Sequence, residues 1–199
     1  MRHRQFFCIW ITATLVFRIL PGCSGPGEQP GARETGRFTL MEESHTGIEF
    51  NNQLEYTEEY NTYTYRNFYN GAGVGLGDFN NDGLTDIYFC GNIVDNRLYI
   101  NRGGFTFEDV TEKAGVACPE VWCTGVSVAD VNGDGWPDLY VCKSGDPDTP
   151  NRSNALFINN GDLTFSERAA EYGIDDMGLS THASFIDYDR DGDLDCYLL

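Results

Sequence analysis

Three segments of the sequence share one spacing of acidic and amide side chains. Each follows the pattern Asp-x-Asn/Asp-x-Asp-Gly-x-x-Asp, and they span residues 78–86, 130–138 and 187–195. In such a loop the side chains at positions 1, 3, 5 and 9 can converge, while position 7 offers its backbone carbonyl. The glycine at position 6 permits a sharp reversal because it adopts φ values that other residues resist. Hard oxygen donors of this kind are the ligands that calcium prefers.

The candidate metal ligands are these five positions in each of the three loops. Loop 1 (78–86) offers Asp78, Asn80, Asp82 and Asp86 with the carbonyl of Leu84. Loop 2 (130–138) offers Asp130, Asn132, Asp134 and Asp138 with the carbonyl of Trp136. Loop 3 (187–195) offers Asp187, Asp189, Asp191 and Asp195 with the carbonyl of Asp193. Because loop 3 has four side-chain carboxylates, we expect it to bind a cation most tightly.

The loop pattern fits an EF-hand, a zinc site or a magnesium site less well. An EF-hand starts alike, but it needs a Glu at position 12 and flanking helices, and position 12 here is Phe89, Val141 and Leu198. Zinc is disfavoured because no histidine or cysteine falls at a ligand position, and magnesium is less suited to an all-protein cage. The alternative is that the loops are Asp-Gly turns that bind no metal, although three or four carboxylates within about 5 Å would repel one another strongly. We expect a dissociation constant of about 10⁻⁴–10⁻³ M, as in other extracellular calcium modules, and such an ion would stabilise the structure.

Further segments recur in phase with the loops. The segment Asn96-Arg-Leu-Tyr-Ile-Asn is repeated at Asn154-Ala-Leu-Phe-Ile-Asn, 58 residues later. Phe105-Thr-Phe leads to Gly115-Val116, and the same order recurs twice, at Leu163-Thr-Phe with Gly173-Ile174 and at Phe38-Thr-Leu with Gly47-Ile48. Each unit then comprises a short strand, a half-helix ending in glycine, two strands that flank the acidic loop, and the Asn-x-Leu-x-Ile-Asn strand.

The strands around the loops indicate an all-β fold. Val74 and Leu76 alternate with glycines, which predicts a strand with one crowded face, as on the innermost strand of a propeller blade. Each loop is followed by an apolar run, which predicts a strand buried on both faces. Four strands per unit of about 55–60 residues fit a β-propeller blade better than a sandwich. Residues 51–70 are rich in tyrosine and asparagine, and we interpret them as an insertion that either covers the first blade or stacks on glycans.

These motifs resemble a known repeat family. The loops and the intervening segments, above all residues 71–86, are similar to the FG-GAP and VCBS repeats of the integrin α-subunit propeller and of exported bacterial proteins, in particular bacterial relatives of cartilage acidic protein. The resemblance covers roughly residues 37–199. It implies a β-propeller with calcium loops in some or all blades.

The number of units is smaller than a closed propeller requires. The chain stops four residues after loop 3, so that about two and a half four-stranded blades are present, whereas a propeller needs about four or more. We therefore interpret the sequence as an N-terminal fragment of a partial β-propeller, with a truncated gene or assembly with another chain as alternatives. Loop 3 is expected to be disordered because its blade is incomplete.

The N-terminal region predicts export. Residues 1–23 combine a basic start with an apolar run too short to span a bilayer, and they end in Leu20-Pro-Gly-Cys23, which resembles a lipobox with Cys23 as the lipidated residue. Ordinary signal cleavage is the alternative, because Pro21 and Arg18 depart from the pattern. Residues 24–36 are interpreted as a flexible tether, and residues 37–199 as the repeat domain. The predicted location is therefore the cell envelope or the medium.

Charge and cysteine content restrict the partners and the covalent chemistry. The formal net charge of −18 disfavours binding to nucleic acid or anionic lipid headgroups. Cys118 and Cys123 are close enough in sequence to form a disulfide across a turn. The other cysteines of the repeat domain are interpreted as small buried strand residues, namely Cys90, Cys142 and Cys196.

Catalytic motifs are absent from the sequence, and we therefore predict that the chain is not an enzyme. It contains no Gly-x-Ser-x-Gly, P-loop or zinc-helix motif, and the calcium pattern accounts for its paired carboxylates. The favoured interpretation is a binding module at the cell envelope whose partner is an unknown protein or a glycan. The alternative is the N-terminal part of an extracellular enzyme, such as a carbohydrate-active one, whose catalytic residues lie elsewhere.

Overall fold

The computed structural model describes residues 38–144 and 152–199. The chain divides into two compact units, Met1–Thr39 and Leu40–Leu199, and only residues 38 and 39 of the first are described. The predicted signal peptide, the lipidation of Cys23 and the tether therefore lie outside the described residues.

The second unit consists mainly of antiparallel β-strands. The first sheet has the order β1 (Val74–Gly77), β2 (Asp86–Phe89), β3 (Arg97–Asn101) and β4 (Phe107–Asp109). The second sheet has the order β5 (Trp122–Ala129), β6 (Asp138–Ser144), β7 (Ala155–Asn159) and β8 (Phe165–Glu167). A hairpin of β9 (Ala183–Ile186) and β10 (Asp195–Leu198) follows. The prediction of an all-β chain is confirmed in part, because the structure is mostly β, with two four-stranded antiparallel sheets, a two-stranded sheet and a few short helices.

Three one-turn helices accompany the sheets. They are α1 (Glu43–Thr46), α2 (Thr111–Ala114) and α3 (Ala169–Tyr172). Each ends at a glycine in the left-handed region, with φ of 73° at Gly47, 75° at Gly115 and 69° at Gly173. Glycine occupies this conformation without steric cost and so caps the last carbonyls. The predicted half-helices ending in Gly-Ile/Val are confirmed. Within the described residues, no helix has the length and apolar character to cross a membrane.

The first strands of the three repeats lie side by side. Strand β1 contacts β5, and β5 contacts β9. A Cβ atom on Gly73 would lie 2.8 Å from the Cα of Gly125, and a Cβ on Gly125 would lie 2.3 Å from the carbonyl oxygen of Thr181. These glycines therefore permit one backbone to approach the next, which confirms the predicted crowded face. The opposite face of β1 is open, since Val74 and Leu76 are exposed.

Two apolar clusters connect the neighbouring sheets. The first lies between the two four-stranded sheets and includes Tyr88, Leu98 and Leu139. The second joins the second sheet to the hairpin and includes Tyr140 and Leu156. The prediction of strands buried on both faces is right for β6, where every residue is buried. It is wrong for β10, whose residues alternate between exposed and partly buried, because β10 pairs only with β9 in the described residues.

The Phe-Thr-Phe segments differ from the prediction in two ways. Phe105 and Leu163 lie in the preceding turns with φ of 59° and 64°, and only the last residue of each segment starts a strand. That strand pairs with β3 or β7, so it closes the preceding sheet and does not open the next one. At the N-terminal copy, residues 38–40 form no strand.

The tyrosine-rich insertion covers Trp122. The ring of Tyr60 stacks on the indole at a centroid distance of 5.9 Å, and Tyr65 meets it edge-on at 4.8 Å. Phe68 completes the aromatic cluster and is fully buried. Residues 51–70 form turns and bends without strands. The segment was interpreted as covering the first blade or stacking on glycans, whereas these aromatic side chains pack on the first residue of β5 in the second sheet.

The cysteines of the described residues are all free thiols. Cys90, Cys123 and Cys142 are buried, while Cys118 and Cys196 are partly exposed. The prediction of a buried strand residue is therefore right for Cys90 and Cys142. It is wrong for Cys196, because β10 carries no outer neighbour within the described residues.

Candidate metal centre

Each acidic loop connects the first two strands of a sheet. Cα pairs at the strand ends place the last aspartate of every loop opposite the residue before its first aspartate: Gly77 with Asp86, Ala129 with Asp138, and Ile186 with Asp195. The loops are thus tight hairpin connections. Pairing of β9 with β10 makes loop 3 a hairpin connection as well, and its predicted disorder stays a prediction.

The last aspartate of loops 1 and 2 is a buried anchor. In loop 1, Asp86 is fully buried, and its two carboxylate oxygens accept hydrogen bonds from the backbone N–H groups of Phe79 and Asn101, both at 2.8 Å. Asp138 of loop 2 accepts the same two bonds, from Val131 at 2.9 Å and Asn159 at 2.8 Å. Each carboxylate therefore ties its loop to the third strand of the sheet. A carboxylate oxygen has a second lone pair, so coordination is compatible with this role.

Asp195 differs from its counterparts in loops 1 and 2. Its Oδ2 atom accepts a bond of 2.9 Å from the N–H of Tyr188, but the side chain is exposed. Burial raises the pKa of the Asp86 and Asp138 carboxyls above their ordinary value, while the N–H donors of Asn101 and Asn159 oppose this rise. Ionisation of the buried Asp86 and Asp138 carboxyls therefore costs more free energy than ionisation of the exposed Asp195. A nearby cation would favour their charged form.

In loops 1 and 2, backbone N–H groups of the loop donate hydrogen bonds to the candidate ligand side chains. Asp78 accepts bonds from the N–H groups of Asp82 at 3.0 Å and Gly83 at 2.7 Å, and Asn80 accepts a second bond from Asp82 N–H at 3.1 Å. The same three bonds recur in loop 2, with Asp130 and Asn132 as acceptors. These bonds orient the side chains on an exposed loop, but the three aspartates of loop 1 and those of loop 2 do not form a group whose oxygens all lie within 4.8 Å of one another.

Loop 3 brings three of its four predicted ligand carboxylates into one cluster, and Asp191 is not among them. Oxygens of Asp187, Asp189 and Asp195 all lie within 4.8 Å of one another, and this is the single group of three potential metal-binding acidic side chains identified among residues 38–144 and 152–199. The backbone N–H of Asp193 donates to Asp191 at 3.2 Å and lowers the pKa of the Asp191 carboxyl, while the neighbouring Asp191 side chain raises the pKa of Asp193. The donor set is all oxygen and strongly anionic, which fits a calcium ion.

Two features of the loops were not predicted from the sequence. Position 4 adopts the left-handed conformation in all three loops, with φ of 56° at Asn81, 71° at Gly133 and 66° at Arg190. The asparagine that ends each Asn-x-Leu-x-Ile-Asn strand also reaches back to its loop, since Asn101 Nδ2 donates to the carbonyl of Thr85 and Asn159 Nδ2 to that of Pro137. The recurrence of these asparagines 58 residues apart was the signal that could have revealed the second feature.

The first asparagine of the same motif has a separate role. Asn96 donates to the hydroxyl of Tyr88 at 2.7 Å, and this hydroxyl donates to the carbonyl of Val116. Asn154 and Tyr140 repeat the pair in the second sheet at 3.0 Å, with Ile174 as the final acceptor. A polar chain therefore links the segment that follows α2 to β2 of the first sheet, and the segment that follows α3 to β6 of the second sheet.

These observations define the class of the chain: a mostly-β repeat protein whose sheets each carry an aspartate-rich loop between their first two strands. Residues 78–141 match the FG-GAP-like repeat family. That segment begins at the first residue of loop 1 and extends through loop 2 into β6. The chain thus contains an FG-GAP-like repeat, which confirms the resemblance that the loop motifs indicated.

Three proteins with similarity to the chain share one name. Cartilage acidic protein 1 of Homo sapiens is 32% identical over 100 residues, which is 50% of this chain and 15% of the human protein. The protein of the same name from Mus musculus is 28% identical over 127 residues, or 64% of this chain and 19% of the mouse protein. The chain thus spans less than a fifth of these relatives, and the similarity is distant and partial.

Proposed function

We propose that the chain is a calcium-binding, exported β-propeller repeat protein that acts as a binding module at the cell envelope. The single observation that carries the calcium proposal is the cluster of Asp187, Asp189 and Asp195 oxygens within 4.8 Å of one another. Carboxylates this close repel one another unless a cation or a proton neutralises them. Loops 1 and 2 support the proposal because they occupy the same hairpin position, and because three of their internal bonds recur in loop 3, from the N–H groups at positions 2, 5 and 7 to the side chains at positions 9, 3 and 5.

A bound calcium ion would be held by the side chains at positions 1, 3, 5 and 9 and the carbonyl at position 7. It would supply positive charge that neutralises the carboxylates. The residues of the chain do the rest: the glycine at position 6 permits the reversal, the N–H groups orient the carboxylates, and the aspartate at position 9 joins the loop to its sheet. The ion is thus proposed to stiffen the units, with no part in a reaction.

The propeller proposal is supported by the order of the strands. Strands β1, β5 and β9 are the first of their units, and each contacts the next, which is the arrangement of innermost strands around a propeller axis. Export and an envelope location are proposed from the N-terminal residues of the sequence. A non-enzymatic role is proposed because the loops account for the paired carboxylates, and a protein or a glycan is the proposed partner.

Calcium is expected to raise the melting temperature of the chain. At a concentration of about 100 times the dissociation constant, one site adds about 2.7 kcal/mol to the free energy of unfolding, which corresponds to a rise of about 5–10 °C for a domain of this size. Differential scanning calorimetry of the whole chain, with EDTA and with calcium, measures the shift. The same melting temperature in both would contradict the proposal.

Matched variants assign the effect to loop 3. Asp187→Asn removes one ligand charge and is expected to weaken the third site about tenfold, because affinity depends on the charge of the ligands. Glu112→Gln removes the same charge from the exposed surface of α2, outside the loops. This control should leave the calcium titration unchanged. Equal effects of the two variants would show that net charge, and not a site, governs calcium binding.

A further inference from the structure

Two thiols lie together at the start of the second sheet. Cys118 follows α2, Cys123 is the second residue of β5, and Cys118 packs against the apolar cluster that contains Cys123. The chain reverses between them, with left-handed φ values of 46° at Cys118 and 56° at Glu120. This turn returns the chain to the same apolar cluster, and both thiols are free.

The two thiols differ in their access to solvent. Cys118 is partly exposed and lines a cavity of about 460 Å³, together with Pro119, Lys143 and Glu167. Cys123 is fully buried, and its sulfur accepts a hydrogen bond from Asn96 Nδ2 at 3.4 Å. A reagent that enters the cavity therefore meets Cys118 first.

The surroundings also favour different charge states for the two sulfurs. The hydrogen bond with Cys123 and the nearby Lys143 ammonium hold the pKa of the Cys118 thiol below its ordinary value. The same hydrogen bond, together with burial, raises the pKa of the Cys123 thiol well above its ordinary value. Since the thiolate is the nucleophile in thiol chemistry, Cys118 is the reactive member of the pair.

We propose that Cys118 and Cys123 form a dithiol site that closes to a disulfide, with Cys118 as the entering thiol and Cys123 as the resolving thiol. The oxidant is a disulfide, either of a small thiol or of a protein. The Cys118 thiolate attacks one sulfur of this disulfide, forms a mixed disulfide and expels the first thiolate. The sulfur of Cys123 then attacks the sulfur of Cys118 and expels the second thiolate. The two protein thiols are oxidised, the donor is reduced, and two protons pass from the cysteines to the released thiolates.

Two more cysteines of the described residues lack this combination. Cys142 is buried, and burial raises the pKa of its thiol to about 12. Cys90 is buried, and its sulfur lies 3.7 Å from the carbonyl oxygen of Gly125. Both are suited to be inert members of the core, and Cys142 is a suitable control for the dithiol site.

The whole chain, fully reduced, is equilibrated with oxidised glutathione, quenched with acid and alkylated. Cleavage after Glu120 separates the two cysteines, so a disulfide between them joins two peptides in the mass spectrum. We expect this linked pair in the wild type. In Cys123→Ser, the resolving thiol is missing, and a glutathione adduct should accumulate on Cys118. The control Cys142→Ser should give the linked pair as in the wild type.

Two outcomes would overturn the proposal. One is a wild type in which both cysteines are alkylated after equilibration with the oxidant, and the other is a folded Cys123→Ser variant without an adduct on Cys118. If Cys123→Ser does not fold, the rate of alkylation by iodoacetamide in the reduced, folded wild type decides. Cys118 should react at least about tenfold faster than Cys90 and Cys142, in line with its exposure and thiolate character. Equal rates would refute the proposal.

Discussion

Asp138→Asn is expected to lower the free energy of unfolding by about 3 kcal/mol, measured in EDTA, because it breaks the anchor of loop 2. Both carboxylate oxygens of Asp138 accept backbone hydrogen bonds, from Val131 and from Asn159, and the side chain is 1% exposed. The asparagine amide retains one acceptor and directs its NH₂ group at the other N–H donor. One donor in the loop or in the third strand is therefore left without a partner.

Urea denaturation of the wild type and the variant, with chelator present, measures this loss separately from any metal. Asp134→Asn is the matched control, because Asp134 carries the same charge in the same loop but is exposed. It should change the stability in EDTA by no more than about 0.5 kcal/mol, yet it should reduce the stabilisation by calcium. Equal losses for the two variants would refute the anchor role of Asp138.

Gly125→Ala is expected to cost about 3 kcal/mol, which is the upper end of the range for overpacking. The added Cβ would lie 2.3 Å from the carbonyl oxygen of Thr181 and 3.3 Å from Nδ1 of His182. The first of these is a backbone atom, so the collision can be relieved only by moving β5 away from the chain that enters β9. Gly125 also lies at the irregularity in the pairing of β5 with β6.

Gly75→Ala serves as the control for this substitution. Its Cβ would meet the two Cγ atoms nearest to it on Val128 and Val126 at 3.0 and 3.2 Å. Both are side-chain atoms that can yield, so the expected cost is about 1 kcal/mol. Thermal unfolding of the two variants measures the difference. A Gly125→Ala variant as stable as Gly75→Ala would show that the contact of β5 with Thr181 does not hold the hairpin.

Much of the fold was predictable from the sequence because it repeats itself. Loops, half-helix glycines and Asn-x-Leu-x-Ile-Asn strands recur at fixed intervals, so each copy supports the interpretation of the others. The assignment of strands to sheets was less accessible. The strand that begins at Phe107 closes the sheet before it, since pairing depends on which strand edge is free and this is a property of the assembled sheet.

The acidic loops show the same division between local and tertiary information. Spacing alone predicts that Asp78, Asn80 and Asp82, with their equivalents, gather on a hairpin turn, because the glycine at position 6 and the short loop impose that geometry locally. The burial of Asp86 and Asp138 as anchors, and the exposure of Asp195, became visible in the folded chain. The reason is that the third strand, which supplies the second N–H donor, accompanies loops 1 and 2 and has no counterpart beside loop 3 among the described strands.

The repeat, the strands that flank each loop and the oxygen-donor pattern could all be read from the sequence, because these follow from periodicity and from the conformational freedom of glycine. Which face of β1 is buried depends on the packing of the units. Alternation of valine and leucine with glycine would ordinarily place the larger residues inside, yet Val74 and Leu76 are exposed, and the glycines face the neighbouring strand. Close approach of two backbones requires the side without Cβ atoms, and that requirement arises only when the units stand next to one another.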